Sequence, residues 1–413
     1  MVDKVLMQNL VIRDPPRVAS RPRIALVIDR FDGRGGAEIY TRDLAGWLAN
    51  RGCEVHIIAR SIGPMEQMLP LVFHEVEPRS GRVAFAAAGS ERLAAIRPDV
   101  SHDMGAALGC DVFQPHVGSS LACQRAADMA HPAWYRPLRR LMRTCSRRRD
   151  LARFTKRQFA AGGSLIVAVS RRVATDITAL HGVPAERIRV VHNGVDADRF
   201  DAVRNREAGN ALRRQLGFDA NDVVVIAVAH NHRLKGLHVL ERVIRRLRRD
   251  ALPVRLLTCG GSGHGRSDAA VVHVGRVTDV AAYYAAADIA IQPSFYDACS
   301  LTTLESLASG LPVITTRHNG ASELITPGVD GFVIGGPRDT DALAECLAVL
   351  AVDRWRRAIV GLAARQLALA RGSNASFAAI IGVYAEVLAA RGRTLEWRNT
   401  AGPASCRRPR LAA

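Results

Sequence analysis

Short apolar runs recur along the chain, each bounded by charged or glycine-bearing segments. Arg23-Ile-Ala-Leu-Val-Ile28 is the first. A short run with few polar positions predicts a strand buried on both faces, as in a parallel sheet. A turn carrying Gly33, Gly35 and Gly36 follows. From about Ala37 to Asn50 the pattern is helical, and Gly52 stops it. Glu54-Val-His-Ile-Ile58 reads as the next strand. Strand, helix and strand in that order predict parallel strands covered by helices.

The alternation continues through Pro98–Val100, Asp111–Phe113, Leu165–Val169 and Arg189–Val191. Ser170 stands where it would cap a helix running to about His181. A polar stretch, residues 201–221, interrupts the pattern. It restarts at Val223–Ala229, with further strands predicted at 254–258, 271–274, 288–292 and 312–315 and helices between them. Residues 373–392 predict a last amphipathic helix.

The predicted fold class is therefore α/β: two Rossmann-like, doubly wound domains facing a central cleft. The expected divisions are a flexible arm at 1–22, a first domain at 23–200 and a second at 201–372. A helical segment at 373–400 would cross back to the first domain, and a flexible tail would occupy 401–413. Ligands of open α/β sheets bind beyond the carboxyl ends of the strands, and clefts between domains are common ligand sites. Functional side chains are thus expected just after strands.

A length of 413 residues suits two or three domains. Lys and Arg number 57 against 39 Asp and Glu, a net charge of +18, which favours polyanionic or phosphorylated partners. No run approaches the ~20 apolar residues of a membrane-spanning helix. The N-terminal segment is too charged and interrupted for a secretory signal. The eight cysteines are scattered with no CxxC pair, which argues against disulfide and zinc frameworks and for a reducing, cytoplasmic setting.

Three segments carry candidate chemistry. Gly33-Arg-Gly-Gly-Ala-Glu38 follows the first strand; glycine amides and a helix N-terminus suit a phosphate, though a plain tight turn reads equally well. Ala229-His-Asn-His-Arg-Leu-Lys-Gly236 follows the strand that opens the second half. Arg233 and Lys235 stand where cations could grip a diphosphate, or merely face solvent at a helix end. His230 and His232 add two imidazoles. Ser294–Val313 holds two acids, Asp297 and Glu305, with seven residues between them, across a loop-to-helix transition. The amides of Cys299, Ser300 and Leu301 are predicted to open toward a phosphate. Glu305, one turn into the helix, could accept two vicinal hydroxyls. Asp196-Ala-Asp198 reads as a loop rather than a metal pair, and Gly260–Gly263 as a turn.

These segments together resemble the GT-B glycosyltransferases of family 4. The likeness rests on the Gly35-Gly36 turn, Asn193-Gly-Val-Asp196 with Phe200, and Lys235-Gly236. The acid-x7-acid pair Asp297 and Glu305, followed by Gly310, Pro312 and Val313, completes it. Within the family the chain is most similar to glucosyltransferases of the lipopolysaccharide core. The resemblance implies a retaining, metal-independent transfer of a hexose from a nucleotide sugar, with UDP the commonest donor nucleotide, and no cofactor. It assigns Gly35, Gly36, Arg233, Lys235, Ala298, Cys299, Ser300, Leu301 and Glu305 to the donor, and His116 and Asp297 to the reacting sugar. Asp297 departs from the usual Glu, and His230 stands where the family often has Arg. Other GT-B activities, such as a nucleotide-sugar epimerase or a phosphorylase, and a non-catalytic basic binding protein are the alternatives.

Residues 136–158 hold ten cationic side chains interleaved with Leu138, Leu141, Met142 and Leu151, just after Trp134 and Tyr135. Such a segment predicts contact with an anionic membrane surface, or a solvated charged helix. An anionic glycolipid or glycan acceptor would fit the former. The expected location is cytoplasmic, peripheral on the inner membrane face. No nucleic-acid-binding motif is present.

Overall fold

The structure, a computed structural model, describes residues 21–33, 35–64, 69–77, 81–138, 146–261 and 267–394. The expected tail, and all of the expected arm but residues 21–22, lie outside these.

The first half holds a seven-stranded parallel sheet. Its order is Val72–Glu75, Glu54–Ala59, Arg23–Val27, Val100–Asp103, Val112–Phe113, Leu165–Ala168 and Ile188–Val190. Leu26 lies in register between Ile57 and His102. Ile24 to Val27 are fully buried, as an apolar run covered on both faces must be. The second half holds six parallel strands: Val271–Gly275, Val254–Cys259, Val223–Val228, Ile289–Gln292, Val313–Thr316 and Phe332–Ile334.

Strand order reverses beside Val223–Val228, which pairs with Val254–Cys259 on one side and Ile289–Gln292 on the other. The connections leaving these strands diverge to opposite faces and open a crevice. Residues 229–236 and 293–300 are those connections. Helix Leu237–Arg249 follows the first; its buried Leu240, Val243, Ile244 and Leu247 recur at helical spacing.

Helix Ser373–Ala389 crosses to the first half. Phe377, Ile380, Val383, Tyr384 and Leu388 join the cluster of Ile24, Leu26 and Ile57. Each fully buried apolar side chain stabilises by ~1.5–3 kcal/mol, so this helix is anchored firmly. The Ser373 amide donates to the Val195 carbonyl (3.1 Å), fixing the crossover.

Four hydrogen bonds lock the halves together beside the cleft. Glu323 accepts the Arg171 and Arg172 amides (2.8 and 2.7 Å), capping helix Arg171–His181 from the opposite half. Ser170 Oγ donates to the Ala298 carbonyl (2.7 Å), and the Asn193 amide side chain donates to that of Cys299 (2.9 Å).

In the basic segment, Trp134 and Leu138 are exposed, whereas the aromatic side chains of the helix that follows are not. In helix Ser146–Ala160, Phe154 and Phe159 are buried and Phe159 stacks on His181, so the aromatic face is used in the core. Arg153, Lys156 and Arg157 face outward. Residues 139–145 lie outside the described residues. No helix among the described residues is long and apolar enough to cross a membrane.

Candidate active site

The loop after Ile289–Gln292 is held as tightly as a strand. The Asp297 amide donates to the His318 carbonyl (3.0 Å), and the Asp297 carbonyl accepts the Gly320 amide (2.9 Å). This fixes the Asp297 side chain, whose carboxylate accepts a hydrogen bond from the Lys235 ammonium. The two side chains are only 15% and 23% exposed. Lys235 reaches this partner because Gly236 lets the two loops touch. Gly236 has φ +74°, and a Cβ there would lie 2.1 Å from the Pro293 carbonyl oxygen.

Ser300 caps helix Leu301–Ala308, its hydroxyl accepting the Thr303 amide (3.2 Å). Its own amide donates to Asn319 Oδ1 (3.2 Å), so it is not open to a phosphate as the sequence suggested. The Cys299 and Leu301 amides have no acceptor among the described residues and remain the donors that the helix N-terminus offers. The carbonyls of Ala298 and Cys299 face the first half instead. Burial pushes the Cys299 thiol up to about 12, which leaves it protonated and un-nucleophilic.

Glu305 sits one turn into this helix, partly exposed. Its Oε2 accepts a hydrogen bond from the Tyr284 hydroxyl at 3.0 Å. Burial raises the Glu305 carboxyl above its ordinary range, and the Tyr284 bond partly offsets this. Tyr284, fully buried, was not singled out by sequence reading. The available signal was its place on a short helix immediately before the strand Ile289–Gln292.

The first half supplies the facing wall. Gly36 opens helix Gly36–Ala49, and a Cβ on it would lie 3.2 Å from Leu301 Cδ1, so this glycine admits the opposing helix. Gly35 is covered by the Glu38 carboxylate, 2.3 Å from where its Cβ would stand. An acid at that position opposes a phosphate there. His116 packs edge-on against Tyr40, with centroids 4.7 Å apart, and its Nε2 lies 3.4 Å from the Met104 sulfur. Burial pushes its pKa down to about 4, leaving a neutral imidazole. No hydrogen bond or ion pair joins His116 to Lys235, Asp297 or Glu305 among the described residues. The neighbouring Gln114 is fully buried, and neither polar atom of its side chain has a partner among the described residues.

Arg233 does not join the Lys235–Asp297 pair. Its guanidinium donates to the Ala130 carbonyl (3.3 Å), just past helix Ser120–Met129 of the first half. Arg338 donates to the Met129 carbonyl beside it. Both complement the negative end of that helix. His230 is exposed, and His232 Nε2 lies 3.3 Å from the Gly260 carbonyl. Ser262 and Gly263 lie outside the described residues. Asp196 Oδ1 accepts the amide of Arg199, three residues on (3.1 Å), and so holds a local loop. No group of three or more His, Cys, Asp or Glu among the described residues is arranged to hold a metal ion.

Lys235, Asp297, Glu305 and the helix N-terminus thus gather on one wall of the crevice. Residues 34–199 match the family described as Glycosyltransferase Family 4, and residues 221–353 match Glycosyl transferases group 1. The chain is similar to a D-inositol 3-phosphate glycosyltransferase of Xylanimonas cellulosilytica, 28% identical over 85% of this chain and 92% of the relative. It is 32% identical to a probable transglycosylase of Burkholderia thailandensis over 71% of this chain and 77% of that one. Among solved structures it resembles WaaG, a glycosyltransferase involved in lipopolysaccharide biosynthesis. The TM-score is 0.70 at 19% identity, covering 87% of this chain and 99% of that one. It also resembles Anabaena HepE in complex with UDP-glucose, with TM-score 0.65 at 19% identity, covering 90% and 99%. At such identities the likeness is one of fold, so the similarity to lipopolysaccharide-core enzymes narrows to architecture. The two family matches fall on the two sheets, and the relatives spanning both are transferases: the chain belongs to glycosyltransferase family 4 and is an enzyme of the GT-B fold.

Proposed function

We propose that the enzyme moves a hexose from a UDP-linked sugar to an anionic acceptor of the cell envelope, with retention at the anomeric carbon and without a metal ion. The observation that carries this reading is the crevice wall on which Lys235 touches Asp297 and Tyr284 touches Glu305. An ionised Glu305 accepts the two vicinal hydroxyls of the donor ribose. The diphosphate draws the Lys235 ammonium from Asp297, and the open amides of Cys299 and Leu301 add two donors. The charge that builds on the leaving phosphate then meets a fixed cation and fixed dipoles, which need no reorganisation during reaction. Asp297, once released, is free to accept hydroxyls of the transferred sugar. The neutral His116 bounds the sugar from the first half. A donor phosphate oxygen takes the proton of the acceptor hydroxyl as it attacks from the leaving-group face, so positioning and charge stabilisation are the protein's contribution.

A lipopolysaccharide-core-like acceptor suits the net charge of +18 and an enzyme working peripherally at the cytoplasmic face of a membrane. A second reading, a soluble inositol phosphate, is favoured by the names of the relatives at 26–28% identity. Both acceptors are anionic.

The test is a thermal-shift panel of UDP, GDP, ADP and their sugars in EDTA, followed by turnover with each acceptor. A ligand at 100 times its Kd stabilises by about 2.7 kcal/mol. A metal-free shift with UDP species, and transfer retaining the anomeric configuration, is expected. Absence of any nucleotide shift would overturn the donor assignment, and an inverted product the stereochemical one.

A further inference from the structure

The helix Arg354–Ala370 is turned against the usual pattern of a surface helix. Its fold-facing side is built mainly from small residues: Val360, Gly361, Ala364 and Ala368 are buried, and Leu367 packs partly against the core beside them. Gly361 is pressed so closely on the Gly310 carbonyl that a Cβ would lie 2.2 Å from its oxygen. Most of the large apolar side chains face solvent. Trp355, Ile359, Leu362 and Leu369 are 68%, 66%, 69% and 49% exposed. Steps of four, three and seven residues place them on one stripe. Val352, 77% exposed just before the Asp353 cap, extends it by a turn.

The charges on this helix are all of one sign. From Arg354 to Arg371 there are five arginines and no acid. Two of them are used internally: Arg357 donates to the Leu350 and Ala351 carbonyls, and Arg365 to those of Ala197 and Ala308. Arg354, Arg356 and Arg371 remain exposed around the stripe, with the Arg354 guanidinium 4.9 Å from the Trp355 ring centroid.

An apolar stripe with a Trp near one end, flanked by arginines and with Asp353 its one neighbouring acid on the helix and its cap, fits an anionic lipid surface. The stripe enters the acyl boundary, Trp355 sits at headgroup level, and the arginines meet lipid phosphates. A second copy of the chain fits less well, because self-pairing brings cationic flanks together on two molecules each carrying +18. We propose that helix Arg354–Ala370 docks this enzyme on an anionic membrane through Trp355, Ile359 and Leu362. The site lies on the second half, in a different part of the sequence from the basic segment 136–158, and is independent of which donor or acceptor the enzyme uses.

The experiment is flotation of the full chain with vesicles of phosphatidylcholine and phosphatidylglycerol (70:30) or of phosphatidylcholine alone, without donor or acceptor. The chain should float with the anionic vesicles. Trp355→Ser, Ile359→Ser and Leu362→Ser together should lower the bound fraction at least tenfold with an unchanged melting temperature. Arg354→Gln with Arg356→Gln should weaken binding to anionic vesicles severalfold. No binding by the parent chain would overturn the proposal. So would binding that survives the triple change, or that is lost only with Arg153→Gln, Lys156→Gln and Arg157→Gln. A parent dimer in light scattering that the triple change makes monomeric would assign the stripe to a second copy instead.

Discussion

The Lys235 ammonium is hydrogen-bonded to the Asp297 carboxylate at the mouth of the crevice, joining two loops 62 positions apart. Each residue is thereby oriented, and each is partly neutralised by the other. A diphosphate must compete with Asp297 for Lys235, so the pair acts as a preset cation and not as a free one.

Lys235→Ala is therefore expected to lower kcat by about 10²–10³-fold, the usual loss when a fixed electrostatic donor is removed. Melting should change little, because Asp297 retains some solvent access. Steady-state kinetics beside a thermal melt checks this, and near-parent turnover in a folded variant would remove Lys235 from the mechanism.

Tyr284→Phe deletes the hydroxyl that holds Glu305. Donor KM should rise by roughly 10–100-fold, matching the ~1.5–3 kcal/mol of a hydrogen bond to a charged group. Ribose binding needs the carboxylate, so donor affinity falls as pH drops through the Glu305 pKa. Tyr284 holds that pKa down against burial, so the variant's acid limb should move to higher pH. A KM–pH profile of both enzymes reads the shift; an unmoved limb would mean Tyr284 only fills space.

Glu323→Gln should loosen the two halves. Burial favours its neutral form, but His192 at 2.9 Å and the Arg171 and Arg172 amides outweigh this and hold the carboxyl below its usual range. A depressed carboxyl pKa stabilises the fold above the unfolded value and is lost as pH falls through the folded one. The variant should thus be less stable by about 1–3 kcal/mol at pH 7 and converge with the parent in acid, as read by urea denaturation.

His102 is fully buried, shares a 2.7 Å hydrogen bond with the Tyr384 hydroxyl, and is pushed down to about 3 by burial and by neighbouring His116. Unfolding frees it to take a proton below pH ~6.5. Its folded-state pKa is lowered, so it contributes a loss of stability as pH falls, about 2 kcal/mol between pH 7 and 5. Asp103, pushed up to about 6, acts in the opposite sense between that pH and the ordinary Asp range. The difference in urea midpoints between the parent and His102→Gln across this range isolates the histidine; parallel curves would contradict its buried neutral state.

The strands were legible because each is a local apolar run. Val223–Ala229 and Leu165–Val169 in the sequence become Val223–Val228 and Leu165–Ala168 in the sheets. The pattern predicting helix 373–392 becomes Ser373–Ala389, its buried face meeting Ile24 and Leu26. In 136–158, alternating Arg and apolar residues do not by themselves say which face meets the core. Phe154 and Phe159 face inward, while Trp355, Ile359 and Leu362, in a segment with no such alternation, face out.

By itself the sequence determined two parallel α/β halves, the spacing of Asp297 and Glu305 across a helix start, and a lysine after the opening strand of the second half. Periodicity and spacing are local, and each is set by how one segment meets water and core. Only the tertiary structure decided that Lys235 meets Asp297, that Tyr284 supports Glu305, that the Ser300 amide is consumed by Asn319, and that Arg233 turns to Ala130. Those pairings depend on which strands lie side by side and how closely the halves approach, which no run of neighbouring residues encodes.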